Sequence, residues 1–185
     1  FGEEHEKLRS KTTLDLMFIM DITGSMRGYL DQAKDKIEEI MENIMKKCAS
    51  VNVRIGFVGY RDIYDSNEEY IDLELTEDVK SIRQRISKVE AKGGDDCEDM
   101  SEGLSKTLNK NWKGKSRFAI LIADVPCHGK QYHELENFDK KPEGDGKYDV
   151  IELVKNFAVK NISLLCLNIT DKTVKLYNKK HNLTI

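Results

Sequence analysis

The sequence predicts a doubly wound α/β domain, with a mostly parallel central sheet, one antiparallel edge strand and helices on both faces. Three observations carry this expectation. Residues 14–20 and 118–123 are short, almost unbroken apolar runs, as parallel strands buried on both faces require. Intervening stretches place apolar residues in steps of three and four, which marks amphipathic helices. The element order, β-α-β-β-α-α-β-α-β-α, is dominated by strand–helix units, which close into a parallel sheet covered on both sides.

Each element follows from its residues. Residues 1–13 are a charged lead-in, and 14–20 form the first strand. Over 29–48 the positions Leu30, Ala33, Ile37, Ile40, Met41, Ile44, Met45 and Cys48 line one side of a helix. Residues 51–60 are rich in β-branched and aromatic side chains and form the second strand. Residues 70–75 alternate Tyr70, Asp72 and Glu74 with Ile71, Leu73 and Leu75, so one face is solvated and the strand lies at an edge. Helices over 80–89 and 100–108 flank an acidic loop at 92–99, and 118–123 is another buried strand. A long polar loop, 126–147, holds both prolines and three glycines. A helix over 148–159, a strand over 162–167 and a last helix from about 172 complete the chain. The whole of 1–185 is expected to be one domain, with no internal repeat.

Composition narrows the function. Thirty basic and 33 acidic residues give a net charge of −3, so there is no basic face for nucleic acid. No apolar run approaches the roughly 20 residues that span a bilayer. The four cysteines, Cys48, Cys97, Cys127 and Cys166, form no CxxC pair and are expected to be free thiols in a reducing compartment. Three glycosylation-type triplets, starting at Asn161, Asn168 and Asn182, point the other way. The first two bracket an apolar strand where a glycan would crowd the core, so the expectation is cytoplasmic. The chain opens on Phe1 and reads as a fragment whose targeting is not legible.

Ligands of such sheets bind beyond the carboxyl ends of the strands. The first strand ends in Asp21-Ile22-Thr23-Gly24-Ser25, where a carboxylate and two hydroxyls alternate along a turn. Hard oxygen donors at this spacing suit Mg2+, with Mn2+ or Ca2+ as substitutes. An apolar strand followed by Asp-x-Thr-x-Ser resembles the metal-ion-dependent adhesion site of von Willebrand factor A domains, which usually carries Asp-x-Ser-x-Ser. The resemblance implies a fourth ligand at Asp124, ending the 118–123 strand, and a threonine after a glycine pair. Gly93-Gly94 is that pair, but Asp95 follows it. Asp95 is thus the candidate replacement, with Asp96, Glu98 and Asp99 also within reach. The family likeness implies a protein partner that completes the metal shell with an acidic side chain.

A likeness along most of the chain rests on Phe57-Val-Gly-Tyr-Arg-Asp62, Gly93-Gly-Asp-Asp-Cys-Glu-Asp99, Ala123-Asp-Val-Pro-Cys-His-Gly129 with Tyr132-His133, and Pro142-Glu-Gly-Asp145. These resemble the A domains attached to atypical alpha-kinases, an intracellular group. No kinase signature is present, so any kinase activity would lie outside this sequence.

Other residues carry competing readings. Arg61, Asp62 and Asp96 either orient metal-bound waters or, for Arg61 with Asp62, pin a loop as an ion pair. Cys127, His128 and His133, with Asp139 or Glu134, could suggest zinc, but the spacing fits no standard finger. The favoured reading has both histidines ordering the long loop beside the metal site. Trp112 is read as a packing anchor. Haloacid dehalogenase-type phosphatases also place an Asp after the first strand, but use Asp-x-Asp with the second carboxylate as acid/base. Thr23 occupies that position here. A domain with a vestigial metal site is the third reading, prompted by the missing threonine.

Overall fold

Element boundaries in the computed structural model follow the hydrophobic periodicity to within a residue or two. The structure describes residues 13–47, 51–65, 70–94, 97–133, 139–144 and 146–169. The helix expected from 172 lies outside them, as does the lead-in except for Thr13, which belongs to the first strand.

Strand β1 (Thr13–Asp21) is central. It pairs in parallel with β2 (Asn52–Tyr60) on one side and β4 (Ser116–Ala123) on the other. Strand β5 (Ser163–Asn168) is parallel to β4, and β3 (Ile71–Thr76) is antiparallel to β2, giving the order β3-β2-β1-β4-β5. Among the described residues the two long loops add only one isolated bridge, between Glu98 and Cys127. The edge position of β3 matches its alternation: Asp72 and Glu74 are exposed and both are engaged by Lys110.

The two-residue repeat of β1 splits the core. Leu16, Phe18 and Met20 face α1 (Leu30–Lys47), through Leu30, Ala33, Ile37 and Met41, and α2 (Val79–Ser87), through Val79, Ile82 and Ile86. Met17 and Ile19 face α3 (Met100–Leu108), through Leu104 and Leu108, and α4 (Val150–Val159), through Leu153 and Phe157. Trp112 packs against this second face and donates from Nε1 to the Thr107 carbonyl at 2.9 Å, as an anchor should. Asp78, Asp99 and Asp149 cap α2, α3 and α4 by accepting from backbone N–H groups of the first turn. No helix among the described residues is long and apolar enough to cross a membrane. Cys97, Cys127 and Cys166 form no disulfide among the described residues, and Cys48 lies outside them.

The connection from β1 leads to β2 on one side, whereas β4 lies on the other. The crevice at the carboxyl ends of β1 and β4 is therefore the switch point where ligands of such sheets bind. At the opposite end, Asp15 is fully buried in β1. It accepts from Arg54 Nε at 2.9 Å and from the second terminal nitrogen at 2.8 Å, and from the Lys113 and Gly114 amides at 2.7 Å each. Burial would raise its pKa, but these donors outweigh it and hold the carboxyl below its ordinary value. Its contribution is therefore complete at neutral pH and is lost only as acid protonates it. Asp15→Ala strands Arg54 and two amides, and should lower the unfolding free energy in urea by about 3 kcal/mol at pH 7.

Candidate metal centre

The end of β1 turns directly into a 3-10 turn over Gly24–Gly28, an element absent from the sequence expectation. Asp21 is fully buried, and Thr23 behind it is extended (φ −80, ψ 175). Asp21 Oδ1 accepts from the Thr23 amide at 2.8 Å and from Thr23 Oγ1 at 2.6 Å. Ser25 Oγ lies 3.2 Å from Thr23 Oγ1 and donates to Asp124 Oδ1 at 3.1 Å. Asp124 follows the last residue of β4 and is buried. Parallel pairing of β1 with β4 brings this carboxylate across to the turn. Asp21, Thr23, Ser25 and Asp124 thus form one continuous polar chain.

Proton counting exposes a deficit in that chain. Each hydroxyl owns one proton, and once Asp21 is ionised, with Thr23 donating to it and Ser25 to Asp124, their 3.2 Å contact sets lone pair against lone pair. Among the described residues, Asp21 Oδ2 is buried without a hydrogen-bond partner. Both features are unfavourable by themselves and both would be relieved by a hard cation. Burial pushes the Asp21 carboxyl up to about 7, the Thr23 donors and Arg61 hold it down in part, and the charge of Asp124 raises it further.

Backbone clamps position the acidic loop. The Gly24 amide donates to the Gly93 carbonyl at 2.8 Å, and the Lys92 amide to the Ile22 carbonyl at 3.1 Å. Arg61 reaches three carbonyls, those of Ile22 at 2.6 Å, Glu90 at 2.9 Å and Lys92. Gly93 and Gly94 both have positive φ (71 and 81). A Cβ on Gly94 would strike the Glu98 carboxylate and lie 2.6 Å from Thr23 Cβ, so glycine is required there.

The acidic candidates separate accordingly. Glu98 is buried with its carboxylate against Gly94, beside Thr23. Asp99 caps α3 and accepts from Tyr70 Oη at 3.0 Å. Asp95 and Asp96 lie outside the described residues.

Asp62 belongs to a second layer. Its Oδ1 accepts from the Ile63 amide at 2.6 Å and lies 2.8 Å from His128 Nε2. His128 Nδ1 lies 2.7 Å from Asp139 Oδ1, so each ring nitrogen faces a carboxylate, an arrangement that wants both nitrogens protonated. Desolvation lowers the His128 pKa, but the two carboxylates outweigh it and the net shift is upward. His128 and Asp139 therefore tie the long loop to the end of β2. Glu134 lies outside the described residues. His128 is committed to two carboxylates rather than offering the zinc ligand weighed from sequence.

Comparison with known proteins gives a consistent relationship. The sequence profile described as the von Willebrand factor type A domain matches residues 16–127. An alpha-protein kinase, vwkA, from Dictyostelium discoideum is 30% identical over 183 residues, 94% of this chain. The chain spans only 28% of the length of that relative. Among solved structures, the pilus adhesin SpaC from Lactobacillus rhamnosus GG aligns with a TM-score of 0.62 at 18% identity, over 92% of this chain and 26% of the other. The vWF domain of the pilus tip protein Mfa5 from Porphyromonas gingivalis aligns at 0.52 with 21% identity, over 63% and 39%. At such identities these structures speak for the fold alone.

The pH dependence of His128 follows from its raised pKa. Its stabilising charge is fully present below the ordinary histidine value of 6.5 and is lost as the pH rises through the higher folded value. The Tm advantage of the protein over His128→Gln should therefore be larger near pH 6 than near pH 9. An advantage that grows with pH would refute the imidazolium assignment.

Proposed function

The chain belongs to the von Willebrand factor type A domain family, and from that premise we propose that it is a metal-ion-dependent protein-binding module rather than an enzyme. In this reading Asp21, Thr23, Ser25 and Asp124 hold Mg2+, with Mn2+ or Ca2+ as substitutes. The observation that carries it is the electron-pair surplus at the turn: the opposed Thr23 and Ser25 oxygens and the orphaned Asp21 Oδ2. When bound, the ion supplies a hard electrophile that accepts one further oxygen, for which an acidic side chain of a protein partner is suited.

The residues around the ion have distinct duties. Asp21 supplies the buried negative charge and orients Thr23 through its Oδ1. Arg61 fixes the Ile22 carbonyl and so the path of the turn, while Asp62 anchors His128 in the next layer. In this reading Glu98, packed on Gly94 beside Thr23, is the candidate among the described residues for the side of the family's threonine. A carboxylate there favours tighter ion binding and weakens the pull on an anionic partner. Asp95 and Asp96 remain candidates for that side in the same reading. Thr23 stands where a phosphatase of the dehalogenase type would need its second carboxylate, which argues for binding over hydrolysis.

The relationship to an alpha-kinase suggests an interaction domain within a longer protein, acting in the cytoplasm, with any kinase chemistry carried elsewhere. Thiols at Cys97, Cys127 and Cys166, with no disulfide among the described residues, suit that compartment.

Saturating Mg2+ should raise the Tm by about 5 °C or more, and EDTA should reverse it. Asp21→Asn should abolish the response without lowering metal-free stability above pH 7, since it removes an uncompensated buried charge. Indifference of the unmutated protein to Mg2+, Mn2+ and EDTA would sink the proposal. Because the ion must displace the Asp21 proton, apparent affinity should rise about tenfold per pH unit up to about 7 and then level off. Isothermal titration in buffers of different ionisation enthalpy measures this directly.

A further inference from the structure

A second set of donors lies apart from the Asp21 turn, between the acidic loop and the long loop. Cys97 Sγ is 3.3 Å from His133 Nε2, which is 3.0 Å from Asp139 Oδ2. The three donor atoms lie within 4.8 Å of one another. Cys97 and His133 are fully buried and Asp139 is 5% exposed. We infer that Cys97, His133 and Asp139 form a structural site for a thiophilic transition-metal ion, of which Zn2+ is the natural occupant.

The geometry favours an ion over the two other arrangements of these residues. In a Cys-His-Asp catalytic unit the thiol and the carboxylate engage opposite ring nitrogens, so that one orients the base the other uses. Here both engage Nε2, and Cys97 has no exposure to a substrate. In a plain hydrogen-bonded cluster one Nε2 proton at most faces both the Asp139 carboxylate and the Cys97 sulfur, whereas an ion engages all three donor atoms at once. Around a tetrahedral zinc with bonds of about 2.3 Å to sulfur and about 2.0–2.1 Å to nitrogen or oxygen, the S···N and N···O edges are about 3.6 and 3.3 Å. The two observed spacings are shorter by only about 0.3 Å on that basis, so these side chains need to part only slightly to admit the ion.

The donor set selects the ion. Thiolate and imidazole disfavour Mg2+ and Ca2+, which take oxygen, and suit Zn2+. The supporting layer is in place as well. Asp139 is oriented by the Gly129 amide at 2.8 Å, the Lys141 amide at 2.7 Å and His128 at 2.7 Å. Three protein ligands leave one of the four tetrahedral positions for a further donor. Such an ion would cross-link the loop bearing Gly94 and Glu98 to the long loop, fixing the acidic side of the Asp21 turn without a disulfide.

The test begins with the unmutated chain, purified without chelator and analysed for metal. One zinc per chain is expected. Replacement by Co2+ should give intense tetrahedral visible bands and a thiolate-to-cobalt charge-transfer band in the near ultraviolet. Cys97→Ser should remove the charge-transfer band, and His133→Gln should weaken zinc binding more than about 100-fold. His128→Gln, which removes one of the two donors on the other oxygen of Asp139, should weaken it about 10- to 100-fold. Asp21→Asn should keep full zinc content while losing the Mg2+ response, so the two sites fail or succeed separately. A folded protein that retains no zinc, or binds Co2+ without a thiolate band, overturns the assignment.

Discussion

A carboxylate withdrawn from water costs several kcal/mol unless charge or hydrogen bonds replace its hydration, and Asp21 is withdrawn completely at the end of the central strand. Its surroundings compensate only in part. Thr23 supplies two donors to one oxygen, Arg61 supplies distant positive charge, and the second oxygen has no partner among the described residues. The remaining deficit is electrostatic and local, and it has the sign that a cation corrects. The path of the Gly24 turn, the glycine pair and the position of Asp124 all follow from surrounding this one group closely.

Arg61 shows how that enclosure is built. A guanidinium presents several donors in a rigid fork, and here they are spent on the carbonyls of Ile22, Glu90 and Lys92. The exit of β1 is thereby tied to the acidic loop, and the Gly24 and Lys92 amides close the same seam from the backbone side. The crowding at Gly94 is the steric counterpart: Thr23 and Glu98 approach so closely that no side chain fits between them. The path of the turn is held by the Arg61 guanidinium and by backbone amides acting on backbone carbonyls.

Outside this layer the polar groups form a relay between the acidic loop and the long loop. Asp62, His128 and Asp139 alternate acid, base and acid, and Asp139 leads on to His133 and Cys97. Irregular loops bury few apolar side chains, so charge-assisted hydrogen bonds take over the work that a hydrophobic stripe performs for a helix. Two neighbouring sites of opposite chemical character result. One offers only oxygen at the head of the sheet, and the other offers sulfur, nitrogen and oxygen within the loops.

The parts of this protein written in the sequence are those governed by short-range periodicity. Alternation in β1, three- and four-residue steps in α1, and the polar alternation of β3 each record which face is buried, so fold class and element order were legible. Asp21, Thr23 and Ser25 were legible too, because the turn places neighbours in one chain. The 3-10 turn was missed since five residues carry no periodic signal. Asp124 meets Ser25 across 99 residues, a contact that depends on β1 and β4 being adjacent. The pairing of Cys97 with His133, rather than Cys127 with His128, was beyond sequence reasoning for the same reason. Loop side chains have no repeat to follow, and only the packed sheet decides which loops converge.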